Sequence, residues 1–442
     1  GRSLTPLVGR EEEAALLLRA WHYSREGEGR VLLISGEAGI GKSRLTEVLR
    51  DRLADESYTL LRYQCSPYHM NSALYPFTDQ LERVAGFRRE DSPDQKLDKM
   101  EAVLGGSATQ ITESAQLIAT LLSLPLDRYP PLNLSPEKRK ARTLEIVAEQ
   151  IEALSQQQPV LIVFEDAHWI DPSSQEALEV LVPRVQSLAV TLLITYRPEY
   201  TPSWASQGHV SHLGLGRLGL REGEALVTQA ADGRSLPETV LSEIVKCAHG
   251  LPLFVEELTK SVLESGLLHE DGEGYALQGP LPAMAIPTSL RDSLLARLDR
   301  LSPVKEIIQT GACIGREFSY ELLSRVRTGR NERLDDGLQK LAEAGLVVCR
   351  GTIPNATFTF KHALVQDAAY DSLLNSTRHR LHAEIAQVLE HPDFADQVAN
   401  EPELLAHHYM AAGNPAASIP RWRDARSEER RVGKEWRSRW AP

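Results

Sequence analysis

The densest chemistry in this chain sits in eight consecutive residues. Gly36-Glu37-Ala38-Gly39-Ile40-Gly41-Lys42-Ser43 fits the spacing G-x-x-x-x-G-K-[ST] in full. Glycines at these positions let the backbone wrap closely around an anion, so that successive N–H groups point inward. A lysine at the seventh position reaches the β- and γ-phosphates of a nucleotide, and the Ser43 hydroxyl is placed to take Mg²⁺. Ile40 and Arg44 complete the stretch counted as nucleotide-binding. A second group lies further on. Glu165 and Asp166 close the apolar run Val160-Leu161-Ile162-Val163-Phe164. Adjacent acids diverge in direction, so one can serve a metal ion and the other a water molecule. Arg197 ends another apolar run and is a candidate sensor of the γ-phosphate. His168 and Trp169 are read as packing and orienting this loop.

These residues need elements to hold them. Val31-Leu32-Leu33-Ile34 reads as a buried parallel strand feeding the glycine loop, and Leu45 to Leu53 as the helix after it. The helix N-terminus adds its dipole to the anion site. Strands are expected at Tyr58 to Tyr63, over the run ending in Glu165, and at Val190 to Thr195. In an open α/β sheet, ligands collect at the carboxyl edge of the strands, where both groups would lie. Asp171-Pro172 reads as a helix start, with Asp as cap and Pro at the first helical position. Pro125, Pro130, Pro131 and Pro136 are read as marking a connecting loop before a helix over Ala141 to Leu154.

Beyond about Gly216 the strand–helix alternation stops and helices dominate. Leu346 to Cys349 and Thr357 to Phe360 read as two short strands around Pro354-Asn355. Helices followed by a hairpin suggest a winged helix, with Phe318 to Val326 as its candidate recognition stretch and Arg325 as its one base reader. The expected fold is an α/β P-loop NTPase with a parallel sheet and flanking helices. An α-helical lid, a winged helix and a C-terminal helical segment follow. The expected boundaries are 1–215, 216–285, 286–361 and 362–425, the last segment a candidate start of a helical repeat array. From about Ser427 the stretch SEERRVGKEWRSRWAP has no apolar periodicity; residues 426–442 are read as a non-native or disordered tail.

The 442 residues suggest about three domains. A net charge of −12 argues against broad contact with nucleic-acid backbones. Four scattered cysteines without a C-x-x-C pair argue against a zinc site or disulfide scaffold and suit a reducing setting. No apolar run approaches a membrane span and no secretion signal is seen, so a cytoplasmic location is expected. Without an initiator Met, the chain is expected to begin inside a longer polypeptide or to be trimmed.

The segments LVGRE, GEAGIGKSRL, VLIVFEDAHWID, LLITYRP, GLPLFVEEL and FKHALVQDAAYDSLL occur in that order. This ordered set resembles the STAND signal-transduction ATPases. It is most similar to the ATPase regions found beside class III adenylate/guanylate cyclase domains, or beside DNA-binding domains and helical repeats. The resemblance spans roughly Leu4 to Pro420. It implies that Val8, Gly9 and Arg10 line an adenine pocket, and that Gly250 and Pro252 set a lid helix over the base. It also implies that Glu165 and Asp166 serve Mg²⁺ and hydrolysis, with Arg197 as sensor and His362 touching the β-phosphate of ADP. Many relatives carry Asp where this chain has Glu165, so which acid orients Mg²⁺ stays open. The ligands implied are ATP or ADP with Mg²⁺. The partners implied are an output domain or repeat array beyond this chain and nucleotide-dependent self-association. Two other classes fit the same residues: an AAA+-like ATPase that loads or remodels DNA, and a nucleotide-binding scaffold without hydrolysis.

Overall fold

The computed structural model describes residues 7–422 apart from 68, 71, 89–90, 105–107, 273, 279–286, 288, 302–303, 328–333 and 401. Leu4 to Pro6 of the expected lead and the tail from Ser427 lie outside the described residues.

The first half of the chain builds a sheet of β1 (Arg30–Ser35), β2 (Thr59–Gln64), β3 (Val160–Glu165), β4 (Val190–Tyr196) and β5 (Val210–Gly214). Their spatial order is β2-β3-β4-β1-β5, with every neighbouring pair parallel. Both faces are covered, which is why β1, β3 and β4 read as unbroken apolar runs. Strand periodicity splits each run between two cores. Leu32, Ile34, Leu161, Val163 and Leu193 share one core with Leu17, Trp21, Leu45 and Leu49. Val31, Leu33, Ile162, Phe164, Leu192 and Ile194 share the other with Leu144, Ile151, Leu178 and Val182. The helices are α1 (Glu11–Arg25), α2 (Lys42–Arg52), α3 (Tyr75–Ala85), α4 (Pro93–Val103), α5 (Ala108–Leu121), α6 (Pro136–Gln157) and α7 (Pro172–Val185). The first two cover one face of the sheet, while α6 and α7 cover the other. Leu97, Met100 and Ile118 form a satellite core against Ile146 of α6.

Pro136 does not mark a loop. It opens α6, with Ser135 as N-cap, because a proline lacks only an N–H that the first turn leaves unused. Strand β5 was not foreseen. It is a half-exposed edge strand, VSHLG, with no apolar run to announce it. Asp171 caps α7 as expected: its carboxylate accepts from the N–H of Ser174 at 2.9 Å and of Leu74 at 3.0 Å.

Three helices follow, α8 (Leu220–Ala230), α9 (Glu238–Ala248) and α10 (Pro252–Leu263), then a hairpin of β6 (Leu268–Asp271) and β7 (Gly274–Leu277). The next unit holds α11 (Leu290–Arg300), α12 (Lys305–Ile314), β8 (Glu317–Ser319), α13 (Tyr320–Val326), α14 (Leu334–Glu343), β9 (Val347–Arg350) and β10 (Thr357–Phe360). Its small antiparallel sheet has the order β8-β10-β9. The helix leading into the hairpin is therefore α14, not the stretch Phe318 to Val326. That stretch is β8 and α13, held by Phe318, Leu322 and Leu323 in the core. Last come α15 (Ala363–Asp371), α16 (Asn375–Leu389), α17 (Ala395–Asn400) and α18 (Pro402–Ala411). One apolar core runs from Leu294 to Leu405, across residue 361. The buried Arg297 of α11 joins this unit to α10. It pairs with Glu257 and, at 3.3 Å, with Glu264, and donates to the carbonyl of Ala344 at 3.1 Å.

Candidate nucleotide site

The glycine loop bridges the end of β1 and the start of α2. Gly39 and Gly41 have φ of +79° and +105°, values that side chains disfavour. Among the described residues, the N–H groups of Gly39, Gly41, Lys42 and Ser43 meet no backbone acceptor. Such free donors at a helix N-terminus suit an anion. Lys42 is 8% exposed, and its ammonium donates to the carbonyls of Gly36 at 2.7 Å and Glu37 at 3.0 Å. Burial lowers its pKa; the nearby Asp166 opposes this and Arg197 adds to it. Lysine, acid and arginine therefore share one electrostatic neighbourhood. Ser43, in the first turn of α2, is exposed. An exposed hydroxyl, a lysine and two carboxylates at a sheet edge are a donor set that fits a magnesium nucleotide.

The two acids are held differently. Glu165 ends β3, is 3% exposed, and accepts from Arg62 Nε of β2 at 2.7 Å. Asp166, the next residue, has φ +56°, a rare left-handed conformation for a side-chain-bearing residue. Its N–H donates to Thr195 Oγ1 at 3.1 Å, and Oδ2 accepts from Gln64 Nε2 at 3.2 Å and Arg316 at 3.0 Å. Of the two acids, Asp166 acts on Lys42 and His168, with Glu199 adding a smaller effect. His168 follows it in a short 3₁₀ turn, Ala167–Trp169, and neither ring nitrogen has a hydrogen-bond partner. Burial chiefly pushes its pKa down to about 4, so the ring is neutral near pH 7. Arg197 leaves the end of β4 with its guanidinium 5.2 Å from the Trp169 ring centre.

The residues expected to line a base pocket lie around the α8–α10 core and the glycine loop. Gly9 turns at φ +65°, and a Cβ there would lie 2.5 Å from Cγ of Glu222 on α8. Arg10 pairs with Glu13 at 2.9 Å and donates to the carbonyl of Gly216. Val8 packs on the α8–α10 core with Leu218 and Leu251. Pro252 is the first residue of α10, and the next N–H, of Leu253, donates to the Gly39 carbonyl at 3.2 Å. A Cβ on Gly39 would meet Leu253 at 3.1 Å and Leu364 of α15 at 3.7 Å. His362 precedes α15 at its N-cap. Burial, with Lys361 beside it, drops its pKa to about 4. Arg62, Gln64, Thr195 and Arg316 were missed in sequence. The alternation of Arg62 and Gln64 on β2 was a usable signal; Arg316 lies 150 residues from its acid and gave none.

Residues 6–194 match the family model described as the AAA ATPase domain. This stretch is an AAA ATPase domain. Over 437 residues the chain is 27% identical to an uncharacterised protein of Rhizobium meliloti, covering 95% of this chain and 40% of that protein. The chain thus spans less than half the length of this curated relative. Among solved structures it is similar to a Signal Transduction ATPase with Numerous Domains, with a tetratricopeptide repeat sensor, from Pyrococcus horikoshii. The identity is 14%, the TM-score 0.49, and the match covers 98% of this chain and 58% of that one. It is also similar to the Aeropyrum pernix ORC1 protein in complex with DNA, at 14% identity and TM-score 0.38, over 84% of this chain and 94% of that one. No helix among the described residues is long and apolar enough to cross a membrane.

Proposed function

We propose that this AAA ATPase domain works as a nucleotide-operated switch that hydrolyses ATP slowly and controls an output domain outside this chain. The observation that carries the reading is the cover on the glycine loop. The Gly39 carbonyl accepts from the Leu253 N–H of α10, and a Cβ on Gly39 would lie 3.7 Å from Leu364 of α15, so two elements outside the sheet domain close over the loop. Nucleotides that differ in their fit to this enclosure shift its population. Moving a two-state balance from 1:99 to 99:1 takes about 5.5 kcal/mol of differential binding. Contacts from three parts of the chain to one ligand are a reasonable source of that difference.

In this reading the loop N–H groups and Lys42 hold the phosphates, and Val8, Gly9, Arg10 and Pro252 enclose the base. Ser43, with Glu165 or Asp166, would hold Mg²⁺, which neutralises charge on the β- and γ-oxygens. Asp166 accepts the proton of the attacking water: its charge acts on Lys42 and its side chain is 23% exposed, whereas the Glu165 carboxylate is sealed against Arg62. Arg197 stabilises charge on the terminal phosphate, and His362, neutral, donates toward the β-phosphate when the enclosure is shut. A nucleic-acid role finds less support. The exposed face of α14 offers Asp335, Asp336 and Glu343 against Lys340, and Arg325 is tied to Glu321 and Asp393. Single-turnover hydrolysis together with nucleotide titration tests the proposal. Lys42→Ala should lose tight binding, and Asp166→Asn should keep ATP while turnover falls by about 10²–10⁴. If Asp166→Asn turns over at the parent rate, the hydrolytic assignment fails.

A further inference from the structure

Asp166 carries one contact that its own sheet does not supply. Thr195 and Gln64 stand on neighbouring strands, but Arg316 comes from the turn between α12 and β8. That turn is well held. The Gly315 N–H bonds to the Gly311 carbonyl at 3.0 Å, and the Arg316 carbonyl accepts from the Phe360 N–H at 3.0 Å. Glu317, the next residue, is in register with Thr359 of β10. The backbone of Arg316 is thus part of the small antiparallel sheet, while its guanidinium lies 3.0 Å from Oδ2 of Asp166. Both side chains are about three-quarters buried, at 28% and 23% exposure, which limits solvent screening of the pair. The surroundings are matched to this contact. Asp367 on α15 lies in the field of both Arg197 and Arg316, and His362 in that of Arg316.

We propose that Arg316 restrains hydrolysis by occupying the carboxylate that must receive the proton of water. The inference rests on the assignment of Asp166 as the hydrolytic acid. A carboxylate oxygen that already accepts from a guanidinium has its lone pairs committed and is geometrically held away from other partners. While the α12–β8 turn sits against the end of β3, Asp166 is engaged from both sides. Withdrawal of the winged-helix unit removes the charged donor from Oδ2, leaving only the neutral Gln64 amide on it, without any movement within the parallel sheet. Hydrolysis is thereby linked to the position of a unit that approaches the glycine loop by a separate route, at Leu364, which a Cβ on Gly39 would meet at 3.7 Å. Arg316 is a positioning residue here: it acts through Asp166 and not on the nucleotide.

The test uses the full chain in three forms, Arg316→Ala, Arg316→Lys and parent, with kcat and KM for ATP and the release rate of a fluorescent ADP. Loss of one charged hydrogen bond should raise kcat about tenfold with little change in KM. The lysine variant, which keeps the charge, should stay near the parent. A fall in kcat on removing Arg316 would overturn the proposal by making the residue a direct stabiliser of transferred phosphate, and an unchanged kcat would reduce it to a strut. If no form hydrolyses ATP, the hydrolytic reading fails, and ADP release decides the latch separately. Arg316→Ala and Asp166→Asn should each speed release, and the double variant should release no faster than either. Additive or absent effects would sink the latch.

Discussion

The backbone N–H of Leu253 and the carbonyl of Gly39 share a hydrogen bond of 3.2 Å, so the first turn of α10 rests on the phosphate loop itself. A side chain at Gly39 meets two obstacles. Its Cβ would lie 3.1 Å from Cβ of Leu253 and 3.3 Å from Cδ2, and φ is +79°. Gly39→Val should strain this turn by about 1–3 kcal/mol. Affinity for ATP and ADP should fall together, and the segment before α10 should become easier to cleave. Titration with both nucleotides and limited proteolysis check this; unaltered affinity and cleavage would mean the contact between lid and loop is incidental.

Arg62 and Glu165 form a pair in which one partner is sealed and the other half-open. Replacing Arg62 with Met leaves a buried carboxylate without its strongest partner, at a cost of about 1–3 kcal/mol. Adding Glu165→Gln should recover much of that loss, because the amide needs no counter-charge. Urea unfolding of the single and double variants measures the coupling. Additive losses would show that the two side chains do not depend on each other.

Arg197 should discriminate between nucleotides. Only ATP carries a terminal phosphate for the guanidinium to meet, so Arg197→Ala should weaken ATP about tenfold or more and ADP far less. Equal losses for both would return Arg197 to its contact with Trp169 and nothing more.

Acid should unfold the C-terminal helices early. Tyr370 and His408 both hydrogen-bond the His382 ring, at 3.0 Å to Nε2 and 2.8 Å to Nδ1. Burial first, then neighbouring His407, lowers the pKa of His382 from 6.5 to about 4, and burial takes His408 well below 6.5. Both folded-state values lie under the unfolded ones, so the stability from keeping the rings neutral is complete above pH 6.5. It drains away as pH falls toward 4, since only the unfolded chain takes up the protons. For His382 alone the loss at pH 5 is on the order of 2 kcal/mol. His382→Asn should flatten the fall in Tm between pH 7 and pH 5. An unchanged slope would place the acid sensitivity elsewhere, with His168 and His362 next in line.

The parts of this site visible in sequence are those whose chemistry and spacing are local. The glycine loop, the acids closing β3 and the Asp171-Pro172 cap are each defined within a few residues, and each stands where the sequence put it. Arg62 was harder, because a lone arginine in a strand looks like any half-exposed edge residue until β3 is beside it. Arg316 had no local pattern at all. It reaches Asp166 only because α12 ends at Gly315 and β8 fixes the next turn. The hairpin of β6 and β7 escaped for another reason: LHED and GYAL have too little apolar alternation to separate them from the helices around them. The recognition stretch was placed one helix too early, on Phe318 to Val326, because nothing in the residues of α13 or α14 alone marks which of them leads into the hairpin.

The strand order has a consequence in time. The strand that feeds the phosphate loop, β1, lies between β4 and β5, and the chain makes both of these neighbours roughly 150 residues or more after it. At about 5–20 residues per second, synthesis leaves β1 without either partner for on the order of 10 s. Throughout that interval Val31, Leu32, Leu33 and Ile34, each at most 1% exposed in the finished fold, have nothing to pair with. Strands β2 and β3 can meet earlier, but they too wait for β4 to join them to β1. The nascent chain must therefore be shielded by the ribosome exit, by chaperones, or by transient packing of β1 on α1 and α2. The glycine loop cannot take its final shape until residues 190–214 have been made.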